Sequence, residues 1–160
     1  MEITVGKLVE IEKSNGSLQR GILYLPFRVD LDGKSYPAAD WEDYAVENLT
    51  GWSEELSSKG KLDSRVFEFM DDAWEMRWMP VENDASIGEL HIVHRGLGKR
   101  LLKQGGVSIC SVAQAVNLAI TNLVRDLEAS GMAYLPAIAA HVARLKASNK
   151  KLRNWLAEQD

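Results

Sequence analysis

The chain has 160 residues, of which 46% are hydrophobic and 26% charged, with a net charge of −4. A chain of that length can bury about 70% of its unfolded surface in one core, so a single domain over residues 1–160 is expected, without staples. The composition excludes a disordered chain, and the lone Cys110 excludes an internal disulfide or a cysteine-rich zinc site. The longest nearly apolar run, Met132 to Ala143, is too short to span a bilayer and contains Pro136 and His141. The opening MEITVGKLVEIEK carries charge throughout and lacks the apolar stretch of a secretory signal, so a cytoplasmic location and no membrane partner are expected.

Charge is uneven along the chain. Residues 1–80 hold 16 acids and 9 bases, a net of −7, and residues 81–160 hold 7 acids and 10 bases, a net of +3. Such asymmetry marks either an acidic face for a basic partner or a dipolar monomer whose halves attract each other.

In chain order, Ile3, Val5, Leu8, Val9 and Ile11 alternate imperfectly around Gly6 and predict a bent strand. Ser14-Asn15-Gly16-Ser17 has the chemistry of a tight turn, leading into a second arm from Leu18 to Val29. Pro26 marks an edge or an irregularity there, because proline cannot donate to the ladder. Asp30 to Lys34 predicts a second turn, with a short strand near Ser35 and Tyr36. Asp40 then opens a predicted helix, with Glu42 and Asp43 favoured in its first turn. Trp41, Tyr44, Ala45, Leu49, Trp52 and Leu56 recur at three and four as its apolar stripe, and Gly60 ends it.

Val66–Met70 and Ala73–Met79 read as two aromatic-rich strands joined by Asp71-Asp72 as turn residues. Pro80 to Gly88 is polar and reads as a loop, and Glu89–Arg95 as a further strand. Gly96-Leu97-Gly98 turns the chain into a basic strand or loop that Gly105-Gly106 breaks. Ser111 and Gln114 have capping-box spacing ahead of a broadly apolar helix, which Gly131 stops. Pro136 begins another helix to about Ala147, and Ser148 caps a last short one. Residues 1–110 are thus strand-rich with one helix near 40–58, and residues 111–158 are helical. The fold class is α+β: a mostly antiparallel sheet of five to seven strands packed with one long buried helix.

No catalytic motif is complete. His91 and His94 lie three apart, which on a strand sends their rings to opposite faces and denies one metal ion both. His141 sits beside an apolar helix face and reads as a packed residue. Gly96-Leu-Gly-Lys99-Arg100 resembles a phosphate loop only faintly, since Arg100 stands where a hydroxyl is required. Arg95, Lys99, Arg100 and Lys103 still form a candidate anion-binding loop. Lys150, Lys151 and Arg153 add a second basic cluster, but overall acidity disfavours nucleic acid. Glu54-Glu55 diverge by about 100° on a helix and do not converge on one substrate. No catalytic residue, metal or cofactor is assigned. Asp43, Glu47 and Glu54, on the polar side of the early helix, are the candidate partner-binding residues. The expected function is a small non-catalytic protein-binding module of inhibitor, immunity or adaptor type, which turns an acidic surface to a basic protein. The alternative is a small enzyme or ligand-binding protein with an anionic ligand near residues 95–103. The alanine- and leucine-rich C-terminal helices also offer a homodimer face.

Overall fold

In the computed structural model, the described residues are 1–5, 23–58, 63–70, 74–81 and 84–159. The expected turn at Ser14–Ser17, the bend at Gly6, the helix stop at Gly60 and the Asp71-Asp72 turn lie outside them. Among the described residues, two antiparallel four-stranded sheets and three helices make up an α+β fold.

The first sheet is built on β2 (Tyr24–Leu31), whose residues are alternately buried and half-buried. On one side β2 pairs with β1 (Glu2–Val5), from Glu2 opposite Asp30 to Val5 opposite Phe27. On the other it pairs with β3 (Lys34–Tyr36) at one end and β4 (Glu42–Tyr44) at the other. Asp32 and Gly33, both at positive φ (49° and 74°), close the β2–β3 hairpin as the sequence suggested. Pro26 lies opposite Glu42, at a point beyond the described pairs of β1.

Helix α1 (Ala45–Ser58) begins four residues later than the Asp40 cap predicted. Residues 42–44 take their hydrogen bonds from β2 instead, and the carbonyl of Trp41 accepts from the N–H of Phe27 at 2.9 Å. A partner strand outcompetes a first helical turn here because it satisfies groups on both chains.

The second sheet is a meander of β5 (Arg65–Glu68), β6 (Trp74–Val81), β7 (Asp84–His94) and β8 (Lys99–Ser108). The predicted Pro80–Gly88 loop is mostly strand. Residues 80–81 end β6 and residues 84–88 begin β7, and a register shift at Pro80/Val81 accommodates the proline. Gly105-Gly106 does not break β8; it sits at an irregularity opposite Gly88–Leu90, with Gly106 at φ 72°. Side chains of Phe67, Met76, Trp78, Leu90 and Ile92 face inward and are fully buried.

Helix α2 (Ile109–Ala129) starts two residues before the predicted Ser111 cap and buries Val112, Val116, Ile120, Leu123 and Leu127. Gly131, at φ 76°, ends it as expected. Helix α3 (Pro136–Ala157) carries proline in its first turn and runs without a break through Ser148. That serine is no cap: its hydroxyl donates back to the Leu145 carbonyl at 2.9 Å, which satisfies it inside a continuing helix. Buried apolar residues of both sheets and all three helices form one cluster. At its centre Trp52 meets Phe27, Phe67 and Phe69 edge-on, at 5.2, 5.7 and 5.2 Å between ring centres.

Candidate interaction surface

Helix α1 lies along the free edge of β5 and takes the place of a fifth strand. The Asn48 side-chain oxygen accepts from the Met70 N–H at 3.0 Å. The Trp52 indole N–H donates to the Glu68 carbonyl at 2.7 Å, and Glu55 Oε1 accepts from the Val66 N–H at 3.1 Å. Positions 48, 52 and 55 rise about 4.5–6 Å per step on a helix, and positions 70, 68 and 66 about 6.6–6.8 Å per step on a strand. The two rows therefore run side by side in opposite senses. An edge that would otherwise invite another chain is closed by side chains of the same molecule.

Closing that edge brings carboxylates together. Glu47, Glu55 and Glu68 line one groove of about 390 Å³ with Asn48, Gly51 and Met70. A second hollow of about 260 Å³ adjoins it, sharing Glu47, Gly51 and Met70 and walled by His141 and Arg144 of α3. Each of the three acids has at least one oxygen committed. Glu47 Oε1 is 3.1 Å from His141 Nδ1, Glu55 caps Val66, and Glu68 Oε1 accepts from Arg95 at 2.8 Å. Burial pushes the Glu47 carboxyl above its ordinary value of 4.5, against the pull of His141 and Arg144.

The acids expected to face a partner are placed differently from one another. Asp43 is fully buried, since residues 42–44 form a strand and its period of two turns the carboxylate inward; Oδ1 accepts from the Tyr44 N–H at 2.7 Å. Glu54 is paired to Arg144 through several N–H···O contacts of 3.0–3.3 Å. Glu47 alone of the three lines the groove. Arg144–Glu54 and His141–Glu47 join the acidic and basic halves of the chain, so part of the charge asymmetry serves attraction within the monomer.

The basic loop divides as well. Arg95 enters a single 3-10 turn (Arg95–Leu97) and reaches Glu68, while Lys103 bonds Glu89 at 2.7 Å on the outer face of the second sheet. Lys103 lowers the Glu89 pKa; burial opposes the shift and His91 assists it. Arg100 is exposed, opposite Val93. Lys99 pairs with His94 in the ladder. Arg95, Arg100 and Lys103 line neither the groove nor the hollow beside α1.

His91 and His94 do diverge. His91 is buried with Nε2 3.2 Å from Glu89, whereas His94 packs edge-on to Trp74 at 4.7 Å and accepts from the Leu97 N–H. Among the described residues, no three histidine, cysteine or acidic side chains cluster as a metal site.

What the sequence reading missed is that the two sets meet. Glu68–Arg95 bridges the acidic groove to the β7–β8 turn, at the end of the sheet where β5 finishes and β8 begins. The segments that carry the bridge also hold exposed apolar side chains: Met70 at 56% exposure shares the groove with Val66 and Glu68, and Leu97 at 73% follows Arg95 in the β7–β8 turn. Isolated exposed residues need no explanation, but a bridge flanked by a preset acidic groove, a basic strand and two protruding anchors forms a defined surface. The outward phase of Val66, Glu68 and Met70 was legible from strand alternation. Their meeting with Glu47 and Glu55 was not.

No protein family, curated protein or solved structure matches this chain.

Proposed function

We propose that this protein is a non-catalytic protein-binding module of inhibitor, immunity or adaptor type, and that it binds through the end of the second sheet. The single observation carrying this reading is the set of three carboxylates, Glu47, Glu55 and Glu68. Each is held through at least one oxygen, and all line a groove beside the exposed Met70. Groups fixed before binding lose little freedom on binding, so their attraction for a basic partner is not spent on ordering them. Charge then steers the encounter and fixes register, and the apolar side chains supply the anchor.

This shifts the acidic surface away from Asp43 and Glu54 and keeps Glu47. The test is capture of partners from the native lysate by tagged protein at low and moderate salt, with Met70→Lys and Glu68→Lys as surface variants that repel a basic partner. Leu118→Glu, at an exposed position on α2, serves as the control. A stoichiometric protein retained by the control and lost with both variants is the expected result. Capture that ignores both variants, or none at all, refutes the reading.

A further inference from the structure

The second basic cluster of the sequence, Lys150, Lys151 and Arg153, falls on α3, where it meets α2. The Lys146 ammonium bonds the Glu128 carboxylate across these two helices and so sets their antiparallel register. Three residues further along α3 and three back along α2, Asn149 stands opposite Arg125; four more in each direction bring Arg153 opposite Thr121. These side chains line a groove of about 400 Å³. It shares no lining residue with the groove and hollow beside α1, and its volume suits a small molecule.

Two observations separate this groove from a solvated seam between helices. The first is charge that the chain does not neutralise. Lys146 takes Glu128, and Arg125 gives only its Nε to Asp126, at 3.1 Å, which leaves the terminal N–H groups of its guanidinium uncommitted. Among the described residues Arg153 has no ion-pair or hydrogen-bond partner, and the exposed Lys150 lies one turn from Lys146 on the same stripe. The second observation is Asn149. It is 7% exposed and lines the groove, yet no group of the chain reaches its Oδ1. A buried acceptor left unpaired is costly, and the neighbouring Ser148 avoids that cost by bonding the Leu145 carbonyl. Ile138, Val142, Leu145, Leu152 and Trp155 fill the rest of the buried face of α3 with apolar groups. A buried, unpaired amide among them, beside two uncommitted guanidinium groups, has the chemistry of a ligand contact and not of packing.

We infer that the groove between α2 and α3 binds a small phosphate ester of a hydroxylated molecule. Arg125 and Arg153, from opposite walls and about one helical turn apart, hold the phosphate, since guanidinium forks match phosphate oxygens in pairs. Two guanidinium groups suit the roughly double charge of a phosphate monoester better than the single charge of a carboxylate. The Asn149 amide oxygen accepts from a hydroxyl of the same ligand. Lys146, held by Glu128, closes one end. From Lys146 to Arg153 the cations span only about 10 Å along α3, which favours a compact ligand over a nucleic-acid strand.

The test is calorimetric titration of the full chain with glycerol 3-phosphate, compared with inorganic phosphate and with glycerol at matched ionic strength. Glycerol 3-phosphate is expected to saturate one site and to bind more tightly than inorganic phosphate, while glycerol alone does not bind. Arg125→Gln and Arg153→Gln should each weaken it at least about tenfold, and Lys151→Gln, an exposed change off the groove, should leave it unchanged. Both arginines are exposed, so these variants should fold, and a circular dichroism melt checks this. Asn149→Leu keeps the side-chain shape and removes the unpaired amide. It should bring glycerol 3-phosphate down to the affinity of inorganic phosphate without lowering Tm. A lowered Tm would assign Asn149 to the fold and overturn its role toward a ligand. The whole inference is overturned by the absence of saturable binding below about 10 mM at low salt, or by equal affinity for the ester and for inorganic phosphate. Weakening by Lys151→Gln as strong as by Arg153→Gln would mean diffuse attraction to a basic helix, and overturns it as well. So does a single-stranded oligonucleotide that binds more tightly than the ester and depends on Lys150 and Lys151, which would make the ligand nucleic acid.

Discussion

Replacing Trp52 with phenylalanine tests whether α1 holds β5 as a substitute strand. Two losses add. The indole N–H to the Glu68 carbonyl, 2.7 Å in the native protein, disappears and leaves a part-buried acceptor without its donor, a cost of about 1 kcal/mol. The smaller ring also withdraws a few carbon atoms from contact with Phe27, Phe67 and Phe69, at about 0.8 kcal/mol per methylene-sized group, for roughly another 1–2 kcal/mol. The sum, about 2–3 kcal/mol, corresponds to roughly 5–10 °C in Tm for a chain of this size. Urea denaturation gives the free energy from the shift in midpoint at constant slope. Hydrogen exchange gives the location, because the β5 amides should lose protection more than those of β7. A loss below about 1 kcal/mol, or unchanged protection in β5, would show that the strand is held by its pairing with β6 alone and that the ladder of α1 side chains is incidental.

Gly88→Ala should be among the most damaging single-methyl changes. A Cβ there would run into the Met79 carbonyl and approach the Trp78 ring to 2.5 Å, so a loss of about 2–3 kcal/mol in denaturant is expected. Asp30 is the clearest acid-sensitive group. Burial raises its pKa, but hydrogen bonds from Ser35 and Thr4 and the charge of Arg28 outweigh that and hold it below 3.8. Its stabilisation is therefore present above the ordinary carboxylate range and lost as pH falls through the lowered folded value, and Asp30→Asn should flatten that part of a stability profile. Glu47 has the opposite sign. Its folded pKa lies above 4.5, so the folded chain holds the proton more tightly and stability declines as pH rises from 4.5 through the raised value. Glu47→Gln should abolish that decline and cost little at neutral pH by thermal melt; a large loss there would mean that the His141 pair outweighs burial.

Elements whose cause is local were legible in the sequence. Asp32-Gly33 specified a tight turn through positive φ, Gly131 a helix end, Pro136 a helix start, and the apolar period of residues 112–127 a buried helix. Alternation alone separated the rings of His91 and His94. Packing settled whatever depended on a competing partner. Residues 42–44 had helical chemistry, but β2 offered their backbone a ladder, and with that change of period Asp43 moved from an expected surface into the core. Ser148 had the chemistry of a cap and became an interior helix residue because the face of α3 that packs inside the chain continues past it to Leu152 and Trp155. The candidate surface belongs wholly to this second kind. Glu47 and Glu55 on α1, Glu68 on β5 and Arg95 after β7 belong to three separate segments and are joined only because α1 lies along β5 and β7 turns beside it. Local periodicity records which way a side chain faces. It carries no record of which other segment stands opposite, since that is set by the packing of whole elements.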